Sequence, residues 1–224
     1  MKKIYLISFL IIIVLVFLFL PKNYQQKDDS NVLQINQPEV LDINQEEEDL
    51  SNIRTPNNWQ PPLDKAEERV NKKKFGVYIT PQNSPVQPEK FKGFHTGVDF
   101  EVFPEELNTE VPVYAICSGK IKLKQYVSGY GGTAVQACEL NKEPITIIYG
   151  HLKLSSITVN VDENIEAGER IGILGADKSQ ETDYERRHLH LGIHKGIELN
   201  IKGYVGSQSE LLNWINPCLY VCHN

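Results

Sequence analysis

Three things are missing from this chain, and each absence removes a class of function. There is no basic excess: 23 Lys and Arg stand against 29 Asp and Glu, a net charge of −6, so nothing resembles the electrostatic footprint of a nucleic-acid binder. There is no Cys-x-x-Cys pair among the four cysteines. That argues against a structural zinc domain, whose sites are closed by four protein ligands and favour thiolates, and against a terminal zinc knot built with His223. Past the N-terminal region there is no amphipathic helix of ordinary length between the strand-like runs, which argues against a parallel α/β fold.

What is present begins with "MKK" and then "IYLISFLIIIVLVFLFL", residues 4–20, a run without charge. Seventeen residues lie at the lower edge of what spans a hydrocarbon core as a helix. The run ends in "PKNYQQ", with no small-x-small cleavage pattern, so an uncleaved single-pass anchor is expected over a signal peptide. Lys2 and Lys3 would stay in the cytoplasm, placing the rest of the chain outside the cell membrane, on the periplasmic or cell-wall side. Residues 21–70 carry 5 basic and 11 acidic side chains with few aromatics, and they read as an acidic disordered linker. Within it, "LQINQPEV" and "LDINQEEE" form a weak repeat best read as a solvated spacer, and "DKAEERVNKKK" (64–74) predicts a short helix at the domain boundary. Residues 71–224 are nearly balanced, 16 basic against 18 acidic, and form the expected globular domain.

That domain is a succession of short β-type runs, among them "FGVYIT", "GTAVQACEL", "ITIIYGHL", "SITVNV", "RIGILGA" and "RHLHLGIHKG", punctuated by Gly, Pro and Asn. The pattern predicts an all-β fold, a small antiparallel two-sheet sandwich. Gly119, Gly168, Gly172 and Gly175 are expected at tight turns or close backbone approaches. "SELLNWINPCLY" predicts one helical turn stopped by proline. Outside the cytoplasm disulfides persist, and four cysteines allow three pairings. Cys117 and Cys138 flank the turn "SGYGG" and could face each other across a hairpin, leaving Cys218 and Cys222 to close a terminal loop.

Chemistry is concentrated in three places: His95 and Asp99 in "GFHTGVDF", His151 in "YGHL", and His188 and His190 in "ERRHLHLGIHKG". On a strand His188, His190 and His194 share a face, but His190 and His194 would stand roughly 13 Å apart, too far for one small ion. A catalytic zinc takes three protein ligands and keeps a position open, so five candidates exceed its needs, and the surplus suits proton transfer during hydrolysis. His194 and His223 are read as structural and as part of a frayed tail. Asp183, Tyr184, Arg186 and Arg187 could line a substrate groove, though a solvated loop is the plainer account.

The combination "HTGVD", "YGHL" and "HLH", with "VYAICSGKI", "VDENIEAGERIGILGA" and the late "NP", resembles the M23 family of zinc metallopeptidases, the lysostaphin and LytM type, from about residue 75 onward. The resemblance implies a barrel-sandwich hybrid type of β fold. It implies a Zn²⁺ held by His95, Asp99 and His190, with His151 and His188 as catalytic non-ligands. The implied activity is endopeptidase cleavage of peptide cross-links or stems of peptidoglycan. The contrasting reading is a non-catalytic wall-binding or hydrolase-activating module on the same fold. The sequence departs from the family where "TGPHLH" is usual: here Arg186 and Arg187 precede the motif, and Gly192 replaces an acidic residue after it.

Overall fold

The structure is a computed structural model that describes residues 58–223. The expected anchor and most of the expected linker lie outside these residues. Among the described residues no helix is long and apolar enough to cross a membrane.

The described chain is antiparallel β structure with single-turn helices at Ala66–Arg69, Gln208–Leu211 and Cys218–Val221. Its strands are β1 (Tyr78–Ile79), β2 (Gly93–His95), β3 (Gly97–Glu101), β4 (Pro112–Tyr114), β5 (Gly119–Val127), β6 (Gly131–Leu140), β7 (Glu143–Leu152), β8 (Asn164–Ile165), β9 (Arg170–Ile173), β10 (His188–Lys195), β11 (Tyr204–Val205) and β12 (Trp214–Ile215). Seven of them form one sheet in the order β12-β10-β7-β6-β5-β8, with β3 also paired to β10. β1, β2 and β11 make a three-stranded sheet, and β4 with β9 makes a ribbon. Three sheets therefore stand where the sequence suggested two. The ribbon meets the large sheet's ladder through a single bridge, Leu152 to Leu174, so its hydrogen bonding does not merge with it.

Sequence alternation explains the layering. Along β7, Ile145, Ile147 and Tyr149 enter the main core with Val113, Ile116, Ile121 and Leu174, while Ile148 points the other way into a second cluster with Tyr130, Val135, Val205 and Trp214. The centre of the large sheet is thus buried on both faces, and every residue of β7 from Ile145 to Leu152 is buried. The β6–β7 connection is Asn141-Lys142, both with positive φ (53° and 70°), as a tight two-residue hairpin requires. Cys117–Cys138 and Cys218–Cys222 are both disulfide-bonded, the pairing suggested by their positions.

Four expectations need correction. The domain does not start at residue 71: Trp59, Leu63 and Ala66 are 7%, 2% and 0% exposed and belong to the main core. Three well-placed apolar side chains dock this segment together with buried Arg69, which is paired with Glu106, although its mean composition is polar. Only Ala66–Arg69 of the expected 64–74 helix is helical. "SITVNV" is not a strand, because its Ser156 closes a 3-10 turn at Leu154–Ser156 and its hydroxyl bonds back to the Lys153 carbonyl. Pro217 does not end the last helical segment but begins one, as proline's fixed φ permits at a helix start.

Candidate metal centre

The site lies on the face of β3 and β10 that turns away from the main core. On β10, Leu189, Leu191 and Ile193 enter that core, so the alternate residues His188, His190 and His194 face the other way. On β3, Val98 and Phe100 are core residues, which turns Gly97, Asp99 and Glu101 to the same side as the histidines. The two strands pair directly, His190 opposite Asp99 and His188 opposite Glu101. β2 adds His95 and the end of β7 adds His151.

Three donor atoms converge. His95 Nε2 and His190 Nδ1 are 3.1 Å apart, His190 Nδ1 and Asp99 Oδ1 3.1 Å, and His95 Nε2 and Asp99 Oδ1 3.3 Å. A tetrahedral ion with bonds of about 2.0–2.1 Å sets neighbouring ligand atoms about 3.3–3.4 Å apart, so the spacing fits zinc. Tautomers point the same way. His95 Nδ1 lies 3.2 Å from the Lys74 carbonyl, which can only accept, so the proton sits on Nδ1 and Nε2 is left with its lone pair. His190 Nε2 lies 3.3 Å from the Tyr130 hydroxyl, whose oxygen can accept its N–H and so leave the lone pair on Nδ1. Three buried lone-pair atoms then face one another, an arrangement that a cation relieves.

His151 and His188 flank this cluster, their rings 4.2 Å apart. His188 Nδ1 is 2.8 Å from the Arg186 carbonyl and His151 Nδ1 is 3.2 Å from the Thr182 carbonyl. Each is therefore protonated on Nδ1, with the Nε2 lone pair available. His188 Nε2 lies 3.3 Å from Asp99 Oδ2. His151 has φ of 64°, a left-handed backbone held by its N–H to the Tyr130 carbonyl and by Gly175 N–H to its own carbonyl. Such conformations cost free energy in a residue with a side chain and are found where placement of that side chain matters. Gly150, just before it, is required because a Cβ there would stand 2.4 Å from the Tyr130 ring.

Burial sets the electrostatics. It pushes His190 down to about 4, with the Asp99 hydrogen bond acting against it, and together with His188 it holds His151 well below the usual imidazole range. Burial also pushes the Asp99 carboxyl up, but the imidazoles of His188 and His95 and the Arg186 guanidinium outweigh it and hold the group well below the usual carboxylate range. The cluster floors a cleft of about 380 Å³ whose walls include Phe91, Glu185, Lys202 and Tyr204.

All five candidate residues thus meet in one place. His194 does not join them: it packs edge-on against Trp214, and Asn200 lies 3.2 Å from its Nε2. His223 is exposed beside Glu67. Of the four possible groove residues, only Arg186 lines the cleft. Asp183 instead ties its loop to Tyr126 and to Gly129 N–H, Tyr184 is exposed, and Arg187 donates to the Glu106, Leu107 and Leu174 carbonyls. Sequence reading missed Glu101, Tyr130 and Thr182. Glu101 was accessible, being two residues from Asp99 on a strand and so on its face; the other two touch the site only through tertiary folding.

Residues 93–202 match the family model described as peptidase family M23. No curated protein matches the chain significantly. Among solved structures the chain is similar to the catalytic domain of the antimicrobial peptidase lysostaphin from Staphylococcus simulans, at 25% identity over 68% of this chain and 93% of that one, with a TM-score of 0.44. It is similar to CbpA from L. salivarius REN at 22% identity over 72% and 93%, TM-score 0.47. It is also similar to a zinc-containing peptidase from Vibrio cholerae at 23% identity over 62% and 37%, TM-score 0.39. Residues 93–202, the stretch that carries all five candidate residues, are thus identified as a peptidase family M23 domain.

Proposed function

We propose that this protein is a membrane-anchored, extracytoplasmic zinc endopeptidase that hydrolyses peptide bonds in the cross-links or stems of peptidoglycan. Peptidase activity on peptidoglycan peptides is what the match to peptidase family M23 implies. The anchor at residues 4–20 and the acidic linker after it suit an enzyme held beside its polymer. The observation that carries the reading is the convergence of His95 Nε2, His190 Nδ1 and Asp99 Oδ1, with two non-ligand imidazoles beside them.

His95, Asp99 and His190 would hold the zinc, which when bound supplies Lewis-acid charge for the attacking water and the scissile carbonyl. The remaining steps belong to side chains. His188 Nε2 carries a lone pair and is backed by Asp99 Oδ2 at 3.3 Å, so a proton taken there forms an imidazolium facing a carboxylate. That proton is then returned to the departing nitrogen, so water is added across the C–N bond to give a carboxylate and an amine. His151, kept neutral by burial and fixed on Thr182, accepts a hydrogen bond from the water and orients it.

The test is incubation of the full-length protein, purified in detergent and loaded with zinc, with purified sacculi, followed by mass analysis of the soluble fragments. Release of muropeptides that stops on chelation is expected. Failure of the zinc-loaded protein to release any would overturn the proposal in favour of a non-catalytic module.

A further inference from the structure

Arg186 stands where the sequence departs from the Gly-Pro that usually precedes the HLH motif, and it is placed to act on the metal centre without touching an ion. It lies two residues before β10, and its side chain reaches Asp99 and Glu101 of β3 on the side that His188 and His190 face. Its Nη2 donates to Asp99 Oδ2 at 2.8 Å. Its Nε donates to both Glu101 oxygens, at 2.9 and 3.0 Å, and Nη2 reaches Glu101 as well. Glu101 is held from outside by Lys72 Nζ at 3.1 Å. The Asp99, Glu101 and Arg186 side chains are only 3%, 8% and 11% exposed. Two buried carboxylates share one guanidinium, whose planar fork suits this double role as a lysine would not.

We propose that Arg186, clamped by Glu101, is a positioning residue that commits Asp99 to the ion through Oδ1 alone and keeps both Asp99 Oδ2 and the Glu101 carboxylate out of the coordination sphere. The inference rests on the metal centre proposed above. Asp99 divides its oxygens: Oδ1 lies 3.1–3.3 Å from the two donor nitrogens, and Oδ2 is occupied by Arg186. Without the guanidinium, Oδ2 is free to become a second ligand atom from the same residue. Glu101, two residues along the same face, becomes a surplus buried anion restrained only by Lys72 at its outer edge. Either group would close a site that must stay open, because a catalytic zinc needs a position free of protein atoms. Arg186 thus excludes the closed, structural type of site that two acidic residues beside two histidines would otherwise favour.

The test uses the full-length protein stripped of metal and reloaded with Co²⁺, whose visible absorption is strong at four coordination and weakens as ligands are added. Arg186→Gln is compared with the unaltered protein. Because this change strips two buried anions of their shared partner, at a cost to folding, Arg186→Gln with Glu101→Gln is measured in parallel, with circular dichroism to verify the fold. In the folded variants we expect a several-fold loss of visible intensity and zinc retained at least as tightly in chelator competition. For peptidoglycan cleavage we expect kcat to fall about 10–100-fold while KM changes little, a size usual for groups that support metal ligands. A Co²⁺ spectrum identical to that of the unaltered protein, or loss of zinc from a folded variant, would overturn the proposal. Failure of the unaltered protein to take up Co²⁺ or zinc is a different result: it sinks the metal centre itself, and is seen before any variant is made.

Discussion

Gly97 lies directly beneath the His190 ring: a Cβ there would stand 2.7 Å from His190 Nε2 and 2.4 Å from the Leu191 carbonyl oxygen. The second neighbour is backbone and cannot swing aside. Gly97→Ala must therefore push β3 away from β10, and with it Asp99 away from His190. The expected cost is at the upper end of the ~1–3 kcal/mol usual for overpacking. Thermal unfolding together with zinc stoichiometry checks this; an alanine variant that keeps both stability and one equivalent of metal would contradict it.

His151 has no donor atom in the converging trio. His151→Ala is expected to retain zinc while the cleavage rate drops on the order of 10²–10⁴-fold, the range for loss of a proton-transfer or orienting group. Metal analysis beside a cleavage assay separates the two effects. If the variant loses its zinc, the division between ligands and non-ligands is wrong.

The buried imidazoles make the metal-stripped protein sensitive to acid. Burial pushes His190 down to about 4 in the folded state against 6.5 ordinarily, and pushes His151 in the same direction. Between those values the unfolded chain binds more protons than the folded one, so stability is full above about pH 6.5 and falls as the pH drops toward 4. Urea midpoints measured across this window should decline steadily. A flat profile from pH 7 to 4 would show that these rings are not kept neutral by burial.

The packed segment ahead of residue 71 sets the shortest stable form of the domain. Trp59 packs against Tyr220 with ring centroids 5.2 Å apart, and Leu63 and Ala66 fill the core behind it. Trp59→Ala should cost about 3–5 kcal/mol. A chain starting at residue 71 should melt well below one starting at residue 58, by calorimetry on the two purified domains; equal melting temperatures would refute the role given to this segment.

Reduction of the Cys117–Cys138 bridge opens a loop of 21 residues and should cost roughly 3 kcal/mol. The comparison of Cys117→Ser/Cys138→Ser with the unaltered protein in denaturant would reveal it.

Much of the site was legible because strand alternation is a short-range rule. His188 and His190 had to share a face, and "HTGVD" and "YGHL" supplied partners whose convergence the fold then provides. Glu101 follows from the same rule applied one step further along β3. What could not be read depends on tertiary neighbours. Thr182 offers a carbonyl to His151 from 31 residues away, and Tyr130 reaches His190 only because Gly150 leaves room for its ring. The early domain boundary escaped notice for a related reason. Composition averages over residues 58–70, whereas docking depends on three particular side chains.

The direct pairing of β3 with β10 also governs how the centre can fail. A one-residue slip between these strands would turn Asp99 and Glu101 toward the leucines and send Val98 and Phe100 toward the histidines. No half-formed version lies between the two alignments, and the wrong one would bury carboxylates in hydrocarbon. Competence for chemistry is therefore inherited with correct strand alignment, and misaligned molecules should be unstable rather than sluggish.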